Sequence, residues 1–379
     1  MKSIKDITLG LQLIDNPNWM GGVIYTENIF VCLSKLSEND RPNIVMLGNN
    51  SIKKKFFKNA RIYQKQFSLI DFFLNNLMKR FNLIDSKSVN VDVIYPGFGS
   101  SVLGAKNLEW IPDFQHKYFP EYFSKTELEE RDSSISAIAN SDGTLVLSSQ
   151  ATLTDFKKFY PSARVKTCIW KFCSPIKLDS LDNTENVKDV YNLPEKYIYL
   201  PNQFWAHKNH LLVLDALLLI REKFNIEIPL VCTGAQNDPR NSRYFKKIKR
   251  FLDENKMSEQ TLLLGLIPRR HQIEVFRNST AIIQPSRFEG WSTIVEDNRA
   301  IGRPIYLSDI PVHVEQDPPN AKFFSPESVD SLIHLLVSDW GNLRPGPDYQ
   351  AEFIAQQALE ERIISSAYEF CNIIRSALD

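Results

Sequence analysis

Apolar residues fall along the chain in two alternating rhythms. Short β-branched runs at Asn43–Leu47, Val91–Tyr95 and Leu145–Ser148 read as strands, and a longer helical pattern covers Leu69–Phe81. The second half repeats this more clearly. Strands are expected at Tyr197–Leu200, Pro229–Thr233, Thr261–Leu264, Thr280–Gln284 and Pro304–Leu307. Between them lie helices at His210–Phe224, Ser242–Glu254, Arg270–Asn278 and Thr293–Ile301. Strands that alternate with helices build βαβ units and a parallel sheet, so the reading is an α/β chain of two Rossmann-like, doubly wound domains facing a cleft. Periodicity lapses over Ser174–Pro194, where Pro175, Asp179, Asp182, Asn183 and Asn192 cluster, and this stretch reads as the interdomain linker. The domains are placed at residues 1–178 and 190–359, with a last helix, Ala351–Ala377, whose end over 360–379 returns to the first domain.

In such sheets ligands sit beyond the carboxyl ends of the strands, so chemistry is sought just after them. The strongest segment runs Gln284-Pro-Ser-Arg-Phe-Glu-Gly-Trp-Ser-Thr-Ile-Val-Glu296, a strand, a polar loop and a helix. The amides of Gly290, Trp291, Ser292 and Thr293 would stand at a helix N-terminus, whose partial positive charge suits a diphosphate. Glu289 would accept hydrogen bonds from ligand hydroxyls. Thr293 and Glu296 also fit a capping box, which needs no ligand. The second segment is Leu200-Pro-Asn-Gln-Phe-Trp-Ala-His-Lys-Asn-His210, with Lys208 as its fixed cation and His207 and His210 beside the aromatic pair Phe204 and Trp205.

Length and charge narrow the partners. A chain of 379 residues exceeds one ordinary core and suits two. Lysine plus arginine equals aspartate plus glutamate at 45 each, so no global field draws the chain to nucleic acid, and any anion must be captured locally. The N-terminus lacks a signal-peptide pattern and no run of about 18 apolar residues occurs, which points to the cytoplasm. Five cysteines without a CxxC pair read as small core residues rather than a zinc site or disulfide framework. Lys53-Lys-Lys-Phe-Phe-Lys58, with Arg61 and Lys65, suits peripheral contact with an anionic membrane, or is a solvated loop.

With Val231-Cys-Thr-Gly234, Leu264-Gly-Leu-Ile-Pro268 and Leu307-Ser-Asp-Ile-Pro-Val-His313, these segments resemble the group-1, family-4 retaining glycosyltransferases of GT-B fold. The resemblance implies transfer of a sugar, with retention, from a nucleoside-diphosphate sugar to a glycan or lipid-linked acceptor, as in surface polysaccharide synthesis. It makes Glu289 a donor-sugar contact, Glu296 a ribose contact, and Leu266 and Ile267 the lining of the base pocket, with Gly234 beside them. The family's paired cations fall on Gln203 and Lys208, so neutralisation rests on Lys208, His207 and the helix N-terminus. The family's two glutamates are matched to Glu289 and Glu296 with one loop residue fewer between them.

In the first half, Gly21 and Gly22 follow the first strand and would let backbone approach the donor phosphates. Trp110-Ile-Pro-Asp-Phe-Gln-His116 offers Asp113 and His116 for acceptor hydroxyls, and the resemblance places a histidine here in the cleft near the reacting sugar; a core hydrogen bond is the other reading of His116. Tyr118, Phe119, Tyr122 and Phe123 read mostly as core, with stacking on sugar rings as the alternative. His116, Glu289 and Lys208 are the candidate catalytic set. No GxGxxG follows the first strand, which argues against a nicotinamide cofactor, and no DxD motif occurs, so neither cofactor nor metal is expected. Two rivals remain: a catalytically degenerate binding subunit, motivated by Gln203, and an inverting GT-B enzyme.

Overall fold

The computed structural model describes residues 2–16, 19–48, 91–98, 104–178, 186–238, 240–241 and 243–379. The expected helix at 69–81 and the basic segment at 53–65 lie outside them. The first sheet is all parallel in the order β2-β1-β3-β4-β5-β6, from strands Thr8–Gln12, Asn43–Leu47, Val93–Tyr95, Lys106–Ile111, Thr144–Leu147 and Lys166–Ile169. The second is also parallel, ordered β12-β11-β10-β7-β8-β9, from β7 Ile198–Leu200, β8 Leu230–Cys232, β9 Thr261–Leu263, β10 Ala281–Gln284, β11 Ile305–Ser308 and β12 Ala321–Phe324. In both, a strand order that reverses around β1 or β7 opens a crevice at the carboxyl edge, and the two edges face each other. The expected two-domain α/β architecture is the observed one.

Along the chain the described helices are α1 Met20–Ser34, α2 Gln115–Tyr118, α3 Lys125–Ala139, α4 Gln150–Phe159, α5 Val187–Tyr191, α6 His210–Phe224, α7 Tyr244–Glu254, α8 Arg269–Asn278, α9 Thr293–Ile301, α10 Pro311–Gln316, α11 Val329–Asp339 and α12 Tyr349–Leu378. β5, β7, β8, β10 and β11 are buried at every residue, as expected for strands covered by helices on both faces. That is why they appear in the sequence as short unbroken apolar runs.

The stretch read as the interdomain linker is described at its two ends. Phe172–Ile176 is buried, and Val187–Tyr191 closes into a short helix capped by Asn186, whose side chain accepts from the Lys188 amide. The last helix is continuous, so the boundary expected at 359/360 falls inside it. Its first half packs on α9 of the second domain, and its second half on α1, β3 and β4 of the first. Leu359, Ile363, Ala367, Phe370 and Ile374 are buried at near-helical spacing. Burial of each large member contributes about 1.5–3 kcal/mol. Trp170 Nε1 donates to the Ser366 carbonyl at 3.0 Å.

The aromatic run departs from its core reading. Phe123 is buried, but Tyr118 is 40% exposed and Phe119 and Tyr122 are half-buried, because helix α2 lies at the rim of the interdomain cleft. Of the cysteines, Cys168 is half-buried and the other four are buried.

Candidate functional site

A cavity of about 370 Å³ lies between the facing sheet edges. It is large enough for a small-molecule substrate. Each β-strand delivers its residues by ending there. After β7 the chain turns through Asn202 and Gln203 into a single turn at Ala206–Lys208, and after β10 it runs through Ser286–Gly290 into α9. Gln203, Lys208, Gly234, Leu266, Ile267, Glu289, Gly290, Trp291, Ser292 and Thr293 line the cavity from one side, and Gly21 and Asp113 from the other.

Lys208 and Glu289 form an ion pair, Nζ to Oε1 at 2.5 Å, with side chains only 15% and 12% exposed. Gln284 Nε2 donates to the same carboxylate oxygen at 3.0 Å, and Asn202 Nδ2 donates to Gln284 Oε1 at 2.6 Å. Burial would raise the Glu289 pKa, but Lys208 and the nearby His313 together hold it below the ordinary 4.5. Glu289 is therefore a fixed anion, oriented rather than merely present. His207 lines the same wall, and burial, then Lys208 and Arg240, push its pKa well down, so it stands there neutral. The other histidine of the loop, His210, stacks on Phe204 with centroids 4.4 Å apart.

Two glycines have steric reasons to be there. Gly234 has φ +138°, and a Cβ on it would lie 2.2 Å from the Asn202 carbonyl oxygen. A Cβ on Gly290 would lie 1.9 Å from the carbonyl oxygen of Pro112, across the cleft. Further clasps close the cleft. Trp291 Nε1 donates to the Phe172 carbonyl at 2.9 Å, and the Glu315 carboxylate accepts from the amides of Gln150 and Ala151, capping α4 at 2.8 and 2.9 Å.

Three expected site residues are not on the cavity wall. His116 is turned away into a pocket between Phe114 and Phe123, where its Nε2 meets Asp132 Oδ1 at 3.2 Å. The described side-chain partner of His116 is thus Asp132 rather than the cavity, and burial, then Arg131, lowers its pKa. His116→Asn is expected to lower sugar transfer by less than about tenfold, since loss of a group outside the reacting centre forfeits little transition-state binding. A loss of a thousandfold in kcat/KM would return His116 to the reaction.

Gly22 sits beneath the Trp19 indole, whose ring atoms a Cβ would meet at 2.8 Å, and both expected loop glycines belong to the first turn of α1. Glu296, in α9, is fully buried, where it pairs with Arg362 of α12 and with Arg299 and accepts from Gln316 Nε2 at 3.1 Å. The capping box does not form either: Ser292 is the N-cap and makes no side-chain cap bond. The Ser292 amide is already used, donating to Gln316 Oε1 at 3.0 Å.

The carboxylate that helical spacing puts one turn below the cavity-lining Thr293 is Asp297, which the sequence reading missed. Its Oδ1 pairs with Arg269 Nη2 at 2.6 Å, its Oδ2 has no hydrogen-bond partner among the described residues, and Arg269 lines the cavity. The signal available was the 3.6-residue period counted from Thr293. Trp19, Trp110 and Tyr25, stacked in series with centroids 5.6 and 3.9 Å apart, form the facing wall and carried no local signal.

Comparison with known proteins follows this geometry. Residues 183–336 match the family described as Glycosyl transferases group 1. No curated protein sequence matches the chain. Among solved structures, sucrose-phosphate synthase from Thermosynechococcus elongatus is similar at TM-score 0.66 and 13% identity, covering 98% of each chain. HepE of Anabaena, solved with UDP and glucose, is similar at TM-score 0.63 and 13% identity over 98% of this chain and 100% of that one. A glycosyltransferase from Rickettsia africae gives TM-score 0.59 at 13% identity, covering 98% of both. These likenesses show the GT-B fold. The match over 183–336 falls on the second domain.

Proposed function

We propose that this glycosyltransferase moves a sugar from a nucleoside-diphosphate sugar to an acceptor hydroxyl inside the interdomain cavity, with retention at the anomeric carbon. The observation that carries the reading is the buried Lys208–Glu289 pair at the carboxyl edge of the second sheet, between a Gly234 that only glycine fits and the start of α9. The bond from the sugar C1 to the diphosphate breaks with both electrons leaving on the phosphate oxygen. A bond from the acceptor oxygen to C1 forms, and the hydroxyl proton is released. Lys208 and the α9 N-terminus stabilise the departing charge in a site already organised for it. Glu289, kept ionised, accepts hydrogen bonds from the donor sugar, and the buried Asp297 holds the cavity-lining Arg269 for the nucleotide, while Glu296 is committed to Arg362 and Arg299. The exposed Leu266 and half-buried Ile267 offer an apolar surface to the base. HepE, which shares the fold, was solved with UDP and glucose, in keeping with a nucleotide-sugar donor.

The acceptor is a glycan or a lipid-linked glycan, as in surface polysaccharide synthesis, on the first-domain side near Asp113. No helix among the described residues is long and apolar enough to cross a membrane. Transfer is proposed to need no divalent ion. The test is a thermal-shift and calorimetry screen against UDP, GDP, ADP and their common sugars, run with excess EDTA. Selective stabilisation by one nucleotide is expected, by linkage of ligand binding to folding. Binding that appears only with magnesium or manganese would overturn the metal-free mechanism. Binding of none, with or without metal, would favour a degenerate subunit, to which Gln203 already points.

A further inference from the structure

The phosphate end of the cavity is short of positive charge. Lys208 and Arg269 are cations on the cavity wall, and each is held by a carboxylate, Glu289 at 2.5 Å and Asp297 at 2.6 Å. Gln203 stands where a second cation would help and brings none. Its Oε1 has no hydrogen-bond partner among the described residues, and the same holds for Trp205 Nε1 and His207 Nδ1 on the same loop. Three uncommitted polar atoms on one cavity-lining loop mark where a polar ligand is received.

Arg240 lies directly behind this loop. Its guanidinium is 4.8 Å from the centroid of the Trp205 ring on one domain and 4.9 Å from that of Phe123 on the other. Its Nη1 donates to Gln115 Oε1 at 3.1 Å, and Gln115 and Trp205 both line the cavity. Asp238, nearly fully buried, fixes the base of the arrangement: its Oδ1 accepts from the Arg240 amide at 3.0 Å and forms an ion pair with Nε at 3.6 Å, a longer contact than those that hold Lys208 and Arg269. A guanidinium placed against aromatic rings keeps its charge while its position is fixed, and screening by water is weak where the side chain is only 17% exposed. Arg240 contributes, after burial and Lys208, to the depressed pKa of His207 on the cavity wall.

We propose that Arg240 supplies the positive potential that Gln203 leaves out of the donor-phosphate subsite, acting through the Trp205–His207 loop as a positioning residue. The inference rests on the nucleotide-sugar reading. Because Arg240 touches both domains, its charge is delivered fully only when the cleft is closed, which links phosphate binding to closure.

The experiment is calorimetry of wild type, Arg240→Gln, Arg240→Lys, and Arg240→Gln combined with Gln203→Arg, against UDP, UMP and uridine, or the guanosine or adenosine series if the wild type selects it. An electrostatic role makes the loss scale with ligand charge. Arg240→Gln is expected to weaken the diphosphate roughly tenfold, the monophosphate less and the nucleoside not at all, with most of the affinity restored by Arg240→Lys and by the added Gln203→Arg. Equal losses on all three ligands would reduce Arg240 to a structural clasp, and no loss on any would remove it from the site; either overturns the proposal. If the wild type binds no nucleotide, the function itself falls, an outcome separate from these.

Discussion

Lys208→Ala is expected to abolish nucleotide-dependent stabilisation and to lower kcat/KM about 10²–10³-fold, equivalent to roughly 3–4 kcal/mol of transition-state stabilisation. The same substitution strips Glu289 of its partner in a nearly closed site, so the ligand-free protein should also lose up to about 3 kcal/mol of stability. The two effects separate in the double variant Lys208→Ala, Glu289→Gln. Removing the stranded charge restores the melting temperature, while nucleotide affinity stays lost. A single variant that melts early yet binds nucleotide normally would show that the pair is structural only. The pH dependence follows with a fixed sign. The folded-state pKa of Glu289 lies below its ordinary 4.5, so the pair's contribution is fully present above that value and disappears as pH falls through the lower, folded-state one. A urea-unfolding series from pH 7 to pH 3 should show this loss in the wild type and not in Glu289→Gln.

Gly290→Ala is the second large expectation. The added methyl would meet backbone, the Pro112 carbonyl oxygen at 1.9 Å and its carbon at 2.9 Å, and backbone of the opposite domain cannot rotate aside as a side chain can. Relief requires the domains to part by an ångström or more, which moves Glu289 away from the first-domain wall. A misplacement of that size costs about 10²-fold in rate, while the stability cost of crowding is about 1–3 kcal/mol. Steady-state kinetics together with the small-angle scattering radius would show a slow, more open enzyme that still binds the nucleoside through its second-domain contacts but holds the diphosphate more weakly, because phosphate binding is linked to closure. Full activity in Gly290→Ala would mean that the closed arrangement is not the reacting one. Gly22→Ala is a milder comparison, since its methyl would meet a side chain, the Trp19 indole at 2.8 Å, rather than backbone of the other domain.

The difference between these glycines illustrates how far the sequence reaches. Gly21 and Gly22 are conspicuous because they are adjacent, yet one lies under a tryptophan and both are helical. Gly290 was noticed for its place after a strand, but the reason for it is a carbonyl 178 positions away, at Pro112. His116 shows the same limit. Its position after the cavity-lining Asp113 was legible; its direction was set by Asp132, on a helix whose packing no local pattern encodes.

What the sequence determined by itself was the rhythm of each domain and the loops that carry the chemistry. Buried parallel strands must be apolar throughout and their helices amphipathic, so β7, β10, α6 and α9 and the loops after the strands could be placed from periodicity alone. What only the tertiary structure decided was which partner each of the adjacent carboxylates Glu296 and Asp297 takes, and that Asp297 is the one paired with a cavity-lining residue, Arg269. Neighbours on a helix point about 100° apart, and Arg362, on the last helix, claims Glu296 while Arg269 turns Asp297 to the other side. Those partners are 66 and 28 residues distant, so the choice is made by packing between elements, a property that local spacing does not contain.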